Sequence, residues 1–279
     1  MSESLANKSE ETFSEKASSS PGEFELIERI RTSLGEAGKD LIKGIGDDCA
    51  ITEVKPGFQL LSTIDVLVED VHFLRADITP AQLGHKALAV NLSDIAAMGG
   101  TPRHALVSLC IPKDIDHKYI DELYSGMNRL AASSETAVVG GNISASRKGL
   151  VINVVLMGSV ETGNALMRSG ARPGDLLLVT GELGLSAVGL ELIKKGFKNP
   201  QQTMKKDAGT NEPFQAALDK HLTPTPRVKE GRRLMELGCT TAAIDLSDGL
   251  ASDLRHICKQ SGVSAIIYSE KLPVAGGGS

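Results

Sequence analysis

Aspartate recurs in this chain where it is unfavourable to bury. One signature runs Gly44-Ile45-Gly46-Asp47-Asp48. A second, Ile244-Asp245-Leu246-Ser247-Asp248-Gly249, follows about two hundred residues later. Between them stand Asp65, in Ser-Thr-Ile-Asp, and Asp94, in Asn-Leu-Ser-Asp. Carboxylates gathered in apolar, glycine-punctuated surroundings repel one another unless a cation joins them. Hard oxygen ligands suit Mg²⁺, and its usual partner is a substrate phosphate. The chain has no GxxxxGK[ST] cradle and no paired HRD and DFG motifs. Gly44-Ile45-Gly46 begins a dinucleotide fingerprint, but Cys49 stands where its third glycine belongs. Metal-centred phosphoryl transfer remains, in which cations offset charge and alignment supplies the rest. A phosphate monoester acceptor, with a second pKa of about 6, is already a nucleophile at pH 7 and needs no strong base. The lack of an obvious Ser-His-Asp or Cys-His constellation fits that chemistry.

Each residue also has a structural reading. Asp47 and Asp48 follow a glycine turn, where aspartate caps backbone. Asp94 could pair with a buried Lys or Arg, since charges on apolar faces are seldom left alone. Ser247 or Asp248 could be the N-cap of the helix that follows, and such an N-terminus also attracts phosphate. His72, Arg168 and the Gly140-Gly141 pair could equally be a structural histidine, a surface ion-pair residue and a turn.

The elements that must position these residues alternate. Residues 1–22 are rich in Ser, Glu and Lys and read as a disordered tail. Ser20-Pro21 can open a helix in which Phe24, Ile27 and Ile30 form a stripe. Phe58–Thr63 and Val66–Val71 read as strands. Thr79-Pro80 opens a helix of about twenty residues, with Leu83, Ala87, Val90 and Asp94 on one face. Ala105–Ile111 is a strand, Asp116–Ser133 a helix, and Ala137–Val139 and Leu150–Gly158 strands. A boundary falls near Glu161–Asn164. Beyond it the pattern predicts strands at Leu176–Thr180, Thr241–Leu246 and Ser264–Tyr268. Helices are expected at Leu185–Lys195, Arg227–Leu237 and Leu250–Gln260, with a polar loop over Asn199–Pro213. The organisation is thus a tail over 1–22, a first domain over 23–160 and a second over 161–279.

Composition narrows the class. The 279 residues suit one large or two ordinary domains, and 41% hydrophobic residues can build a core from Leu, Ile, Val and Ala, since aromatics are 3%. A net charge of -5 argues against a nucleic-acid or anionic-membrane surface. Cys49, Cys110, Cys239 and Cys258 are isolated and read as reduced thiols of a cytoplasmic protein. No signal peptide or spanning helix is visible.

Six blocks appear in order: GIGDDCAI from Gly44, VEDVHF from Val68, KALAVNLSDIAAMG from Lys86, GGNIS from Gly140, RSGARPGD from Arg168 and AIDLSDGL from Ala243. Together they resemble the thiamine-monophosphate kinases, relatives of aminoimidazole ribonucleotide (AIR) synthetase and selenophosphate synthetase. The resemblance runs from about Phe24 to about Pro273. It implies an α/β (α+β) protein with two AIR-synthetase-like domains, the first pairing with its twin into a dimeric β-barrel-like core. It implies ATP-dependent conversion of thiamine monophosphate to thiamine diphosphate by direct in-line transfer, in a homodimer with sites at the subunit interface. Asp48, Thr63, Ile64, Asp65, Asp94, Asn142, Asp245 and Asp248 match positions that hold several Mg²⁺ ions, Asp48, Asp65 and Asp94 being the catalytic set. Tyr124, Gly141, Asn142, Arg168 and Ser247 match ATP contacts, and His72 a substrate contact. Where relatives carry Asp, this chain has Asn142. Ile64 replaces a common Thr, so a metal contact there would use its backbone. The family continues past the segment matching Lys271-Leu272-Pro273 into a Gly-Gly-Glu-Asp-Tyr-Glu block that helps hold the thiamine moiety, whereas this sequence ends in Gly-Gly-Gly-Ser. From that ending the expectation is an incomplete second domain with a weakened acceptor site. The rival functions are another ATP-using enzyme of the superfamily and a non-catalytic binder of nucleotide or thiamine phosphate.

Overall fold

A computed structural model of the chain describes residues 23–34, 40–43, 51–197 and 212–274. The Gly44–Asp48 signature, the 1–22 tail and most of the expected 199–213 loop lie outside the described residues.

The first helix, α1, spans Glu23–Ser33 and buries Leu26 and Ile30. Short strands β1 (Leu41–Lys43) and β2 (Ile51–Thr52) pair antiparallel. The main sheet holds β3 (Phe58–Val68), β4 (Thr101–Pro112), β5 (Ala137–Ser146) and β6 (Val151–Glu161), in the order β3-β6-β4-β5. Only the β4/β5 pair is parallel. The sheet is open within one chain, with β3 and β5 as its edges.

Alternation gives the sheet two faces. Val107, Leu109, Ile152, Val154 and Leu156 point to one face, are at most 1% exposed, and are covered by α2 (Pro80–Ala97) and α3 (His117–Ser133). On the other face Leu60, Ile64 and Val66 are 53%, 60% and 44% exposed.

Helix α2 starts where the sequence predicts. The Gln82 amide donates to Thr79 Oγ1, the Thr79 amide donates to Gln82 Oε1, and Pro80 occupies the first turn. Its stripe runs from the core into the open: Leu83 and Ala87 are buried, while Val90 and Asp94 are half-buried. Helices α2 and α3 meet at two glycines. A Cβ on Gly84 would lie 1.9 Å from the Leu123 carbonyl oxygen, and one on Gly126 would lie 1.8 Å from that of Ala81.

The second half carries α4 (Leu185–Lys194), α5 (Glu212–Leu222), α6 (Val228–Leu237) and α7 (Leu250–Ser261). Helix α6 lies on α2, where a Cβ on Gly231 would sit 2.0 Å from the Ala96 carbonyl oxygen.

Several expectations are corrected. Residues 58–68 form one strand rather than two pieces, because Ile64 and Asp65 stay in register with Val155 and Val154. Gly140-Gly141 is not a turn but lies inside β5. Leu176–Thr180, Thr241–Leu246 and Ser264–Tyr268 form no strand in this structure, and Leu176, Leu178 and Ile266 stand 87%, 82% and 74% exposed. An apolar run is a strand only where a neighbour supplies the ladder, and among the described residues these segments form none, the Ala243 amide making a single bond to the Met167 carbonyl at 2.9 Å. Helix α5 was not anticipated.

Candidate active site

Adjacent residues of β3 face opposite ways. Thr63 and Asp65 project toward α2 with the buried Leu67, whereas Ile64 projects to the uncovered face. Helix α2 meets them with Asp94, whose carboxylate accepts a short hydrogen bond from the Thr63 hydroxyl. The preceding residue, Ser93, donates through Oγ to Asp245 Oδ2 at 3.0 Å. Neighbouring positions near the end of one helix therefore tie β3 to the segment before α7. Asp65, Asp94 and Asp245 are each half-buried.

Their electrostatics show burial and mutual repulsion that the neighbouring positive charge opposes only in part. Burial first, and then the Asp245 carboxylate, raises the Asp65 pKa above the ordinary aspartate range, with His72 drawing it back. Burial raises Asp94 too; Thr63 opposes that, Asp65 adds to it and Arg168 opposes it. Asp245 is raised by burial and Asp94, restrained by Ser93, raised further by Asp253 and lowered by Arg168. Arg168 is thus the cation that both Asp94 and Asp245 sense, against three carboxylates.

That donor set fits Mg²⁺: all oxygen, anionic, and short of positive charge. Among the described residues no three His, Cys, Asp or Glu side chains converge tightly enough to cage an ion by themselves. Mg²⁺ seldom asks for such a cage. It keeps several waters and takes one or two carboxylates plus substrate phosphates. A partly open hollow lined by Asp40, Phe58, Leu60, Arg103 and His104 lies at the start of β3, apart from these carboxylates.

His72 stands on the turn after β3, beside Asp65, and its Nδ1 accepts the Val68 amide at 3.1 Å. Ser247 and Asp248 are exposed on the loop before α7. Neither caps that helix through its side chain; the cap position is Gly249. Instead the buried Asp253, in the first turn, accepts from the amides of Ser247 (3.1 Å), Asp248 (3.3 Å) and Gly249 (3.1 Å). The side-chain N-cap expected of Ser247 or Asp248 is therefore corrected: an internal carboxylate engages the three amides that precede the helix.

Other predicted positions lie apart. The rows of the sheet align Asp65 with Val154, Val107 and Gly141, three strand spacings or about 14 Å away. The next row aligns Val66, Asn153, Ser108 and Asn142 on the uncovered face. Asn142 and Asp65 therefore point to opposite faces and cannot share one ion within a single chain. Ile64 also faces away, which leaves only its backbone for any contact near Asp65. Tyr124 sits on α3 inside the core, 4% exposed, with its pKa raised by burial. Asp48 lies outside the described residues.

Sequence reasoning overlooked Ser93 and Asp253. The first had a signal, adjacency to Asp94. The second could have been found as an acid in the opening turn of a helix that follows Ser-Asp-Gly.

The chain is similar to known proteins over most of its length. Residues 46–160 match the AIR synthase related protein N-terminal domain, and residues 172–277 match the corresponding C-terminal domain. The thiamine-monophosphate kinase of Bacillus subtilis is 41% identical over 253 residues, covering 90% of this chain and 74% of that protein. The crystal structure of thiamine-monophosphate kinase from Stenotrophomonas maltophilia superposes with a TM-score of 0.80 at 36% identity, covering 91% of this chain and 77% of the other. A structure of AaThiL complexed with AMPPCP and TMP superposes with a TM-score of 0.71 at 39% identity, covering 91% and 75%. With a two-part match over most of its length and relatives this similar, the chain belongs to the thiamine-monophosphate kinases of the AIR synthase-related family.

Proposed function

We infer that this protein is a kinase that phosphorylates thiamine monophosphate to thiamine diphosphate at the expense of ATP. The observation that carries the reading is the cluster of Asp65, Asp94 and Asp245, half-buried, mutually repelling and answered by Arg168. Such a cluster gains most from a cation, and a cation there brings phosphates with it. Asp65, Asp94 and Asp245 would hold Mg²⁺, with Thr63, the Ile64 backbone, Asp248 and Asp48 as further oxygen donors. When bound, the ion offsets negative charge on the transferring phosphoryl group.

The chain's own residues supply position. Thr63 and Ser93 orient the Asp94 and Asp245 carboxylates by hydrogen bonds. Arg168, whose charge Asp94 and Asp245 sense, would meet a phosphate oxygen. Asp253 holds the Ser247–Gly249 loop, so the Ser247 hydroxyl meets ATP from a fixed backbone. His72 faces the acceptor. An acceptor phosphate already ionised at neutral pH attacks in line, and no residue need take a proton from it.

We read 23–160 and 161–279 as the two domains, a division close to the two family matches. We further propose a cytoplasmic homodimer in which the uncovered sheet faces of two copies meet. The exposed Leu60, Ile64 and Val66 support that arrangement. It would also bring Asn142 to nucleotide at a site shared between subunits; Gly141 and Tyr124 are proposed as further nucleotide contacts on the covered side of the sheet. Among the described residues no helix is long and apolar enough to cross a membrane.

The test is ADP release from ATP by the purified chain with and without thiamine monophosphate, in Mg²⁺ and in excess chelator. Release that requires both acceptor and Mg²⁺ is expected. Release indifferent to the acceptor would reject the assignment.

A further inference from the structure

We propose that the turn at Asp70 and the Glu69–Arg75 clamp form a positioning device that fixes the tautomer of His72, so that its Nε2–H is presented as a hydrogen-bond donor to the phosphate of the acceptor. The proposal rests on the reading above that His72 faces the acceptor.

The chain leaves β3 through an unusually constrained loop. Asp70 adopts φ 66°, one of two non-glycine residues with positive φ among the described residues. A non-glycine residue persists there only where its surroundings over-determine it. Here they do. Glu69 bridges to Phe73, the Asp70 amide donates to the Phe73 carbonyl at 2.9 Å, and the Val71 and His72 amides both donate to the Val68 carbonyl, at 3.2 and 2.8 Å.

Side chains lock the same loop from outside. The Glu69 carboxylate is largely buried; one oxygen takes the Arg75 Nε–H and the other takes the Leu150 amide at 2.7 Å. Arg75 reaches on to Asp114 Oδ2 at 2.8 Å. The loop is thereby tied to the start of β6 and to the segment between β4 and α3.

The consequence falls on the imidazole. The Val68 amide donates to His72 Nδ1 at 3.1 Å. A ring nitrogen that accepts carries no hydrogen, so in the neutral ring the hydrogen sits on Nε2. An ionised phosphate offers only acceptors, which Nε2–H matches and a bare Nε2 lone pair would repel. The Asp65 carboxylate senses the ring, which on the proposed reading sets the ring at the phosphate end of the acceptor. Glu69, Asp70 and Arg75 are thus positioning residues acting through His72.

Two measurements test this on the full 279-residue chain. The first reads the imidazole nitrogens of the ¹⁵N-labelled protein without ligand at about pH 8, where an ordinary histidine is neutral. A single Nε2–H tautomer is expected in the unchanged protein, and a mixture in Glu69→Gln, or in Arg75→Lys if Glu69→Gln does not fold. An Nδ1–H tautomer, or the same populations with and without the clamp, would overturn the proposal. The second compares His72→Gln, whose amide can place a donor near the Nε2 position, with His72→Asn, whose shorter amide reaches only the Nδ1 position. KM for thiamine monophosphate should rise on the order of tenfold more in the Asn variant, the value of about one hydrogen bond, while KM for ATP stays put. Equal KM values in the two variants would also overturn it. Absence of acceptor-dependent ADP release in the unchanged chain would instead remove the kinase reading, and the tautomer measurement would stand by itself.

Discussion

Asp94 concentrates the argument at the scale of one residue. Its carboxylate meets the Thr63 hydroxyl, faces Asp65 and senses Arg168. Asparagine has the same shape but no charge to offer a cation. Asp94→Asn should lower turnover on the order of 10²–10³-fold, the usual scale for losing a preorganised electrostatic contact. Stability should move the other way. A carboxyl whose pKa is raised on folding contributes stability that is fully present below the unfolded value, about 3.9, and is lost as pH rises through the folded value. Near pH 7 and without Mg²⁺, Asp94→Asn should therefore melt at or above the unchanged protein. That advantage should vanish at about pH 3, and Mg²⁺ should raise the melting temperature of the unchanged protein more than that of the variant. Melting curves beside ADP release decide the matter, and unchanged turnover would end the metal role of Asp94.

Helix α2 is the element on which the site depends. Its capped start fixes the phase of the helix, and its far end delivers Ser93 and Asp94. Its close approach to α3 needs bare glycines. Gly126→Ala drives a methyl into the Ala81 carbonyl, with nothing flexible to yield, and should cost about 3 kcal/mol, the upper part of the overpacking range. Chemical denaturation measures this, and a loss below about 0.5 kcal/mol would show that the helices can separate freely. The same helix is latched to the second half of the chain by His85, which donates to the Pro224 carbonyl at 2.8 Å, and by Lys86, 3.5 Å from His221 Nε2. Burial first, then Lys86, pushes the His221 pKa down to about 4. The folded chain thus prefers the neutral ring, and the unfolded chain takes up the proton first. Stability from His221 is complete above about pH 6.5 and is lost as pH falls toward about 4. The full gap corresponds to about 3 kcal/mol, which solvent screening at this half-buried ring reduces to about 1–2 kcal/mol. His221→Gln should accordingly flatten the dependence of melting temperature on pH across that window, and an unaltered slope would assign the acid sensitivity elsewhere.

At the scale of the whole molecule, one sheet face is packed by helices, while on the other Leu60, Ile64 and Val66 stand exposed. Within the proposed dimer that exposed apolar patch is an interface, and its centre tolerates no charge. Ile64→Asp should convert the dimer to a monomer in sedimentation velocity, with the helical circular dichroism signal kept because α2 and α3 lie on the opposite face. Activity should fall with dissociation, since Asn142 would lose the neighbouring subunit. A variant that stays dimeric would show that the copies meet elsewhere.

The sequence by itself determined the family and many of the local elements. Its aspartates in apolar settings, and its lack of a phosphate-binding loop, pointed to a cation and a phosphate before any fold was known. Thr79 and Pro80 announced the start of α2, and alternation announced β4 and β6, because caps and periodicity are local properties of neighbouring residues. Tertiary structure decided which of those aspartates meet. Asp65, Asp94 and Asp245 are joined only because α2 crosses β3 and α6 docks on α2 through Gly231. It also decided that Asn142 turns away from Asp65, since the strand order β3-β6-β4-β5 arises from non-local pairing that no local pattern encodes. The same cause separates the two halves of the chain. Leu176–Thr180 has the composition of a strand, yet a ladder requires a partner, and pairing is a property of two segments rather than one.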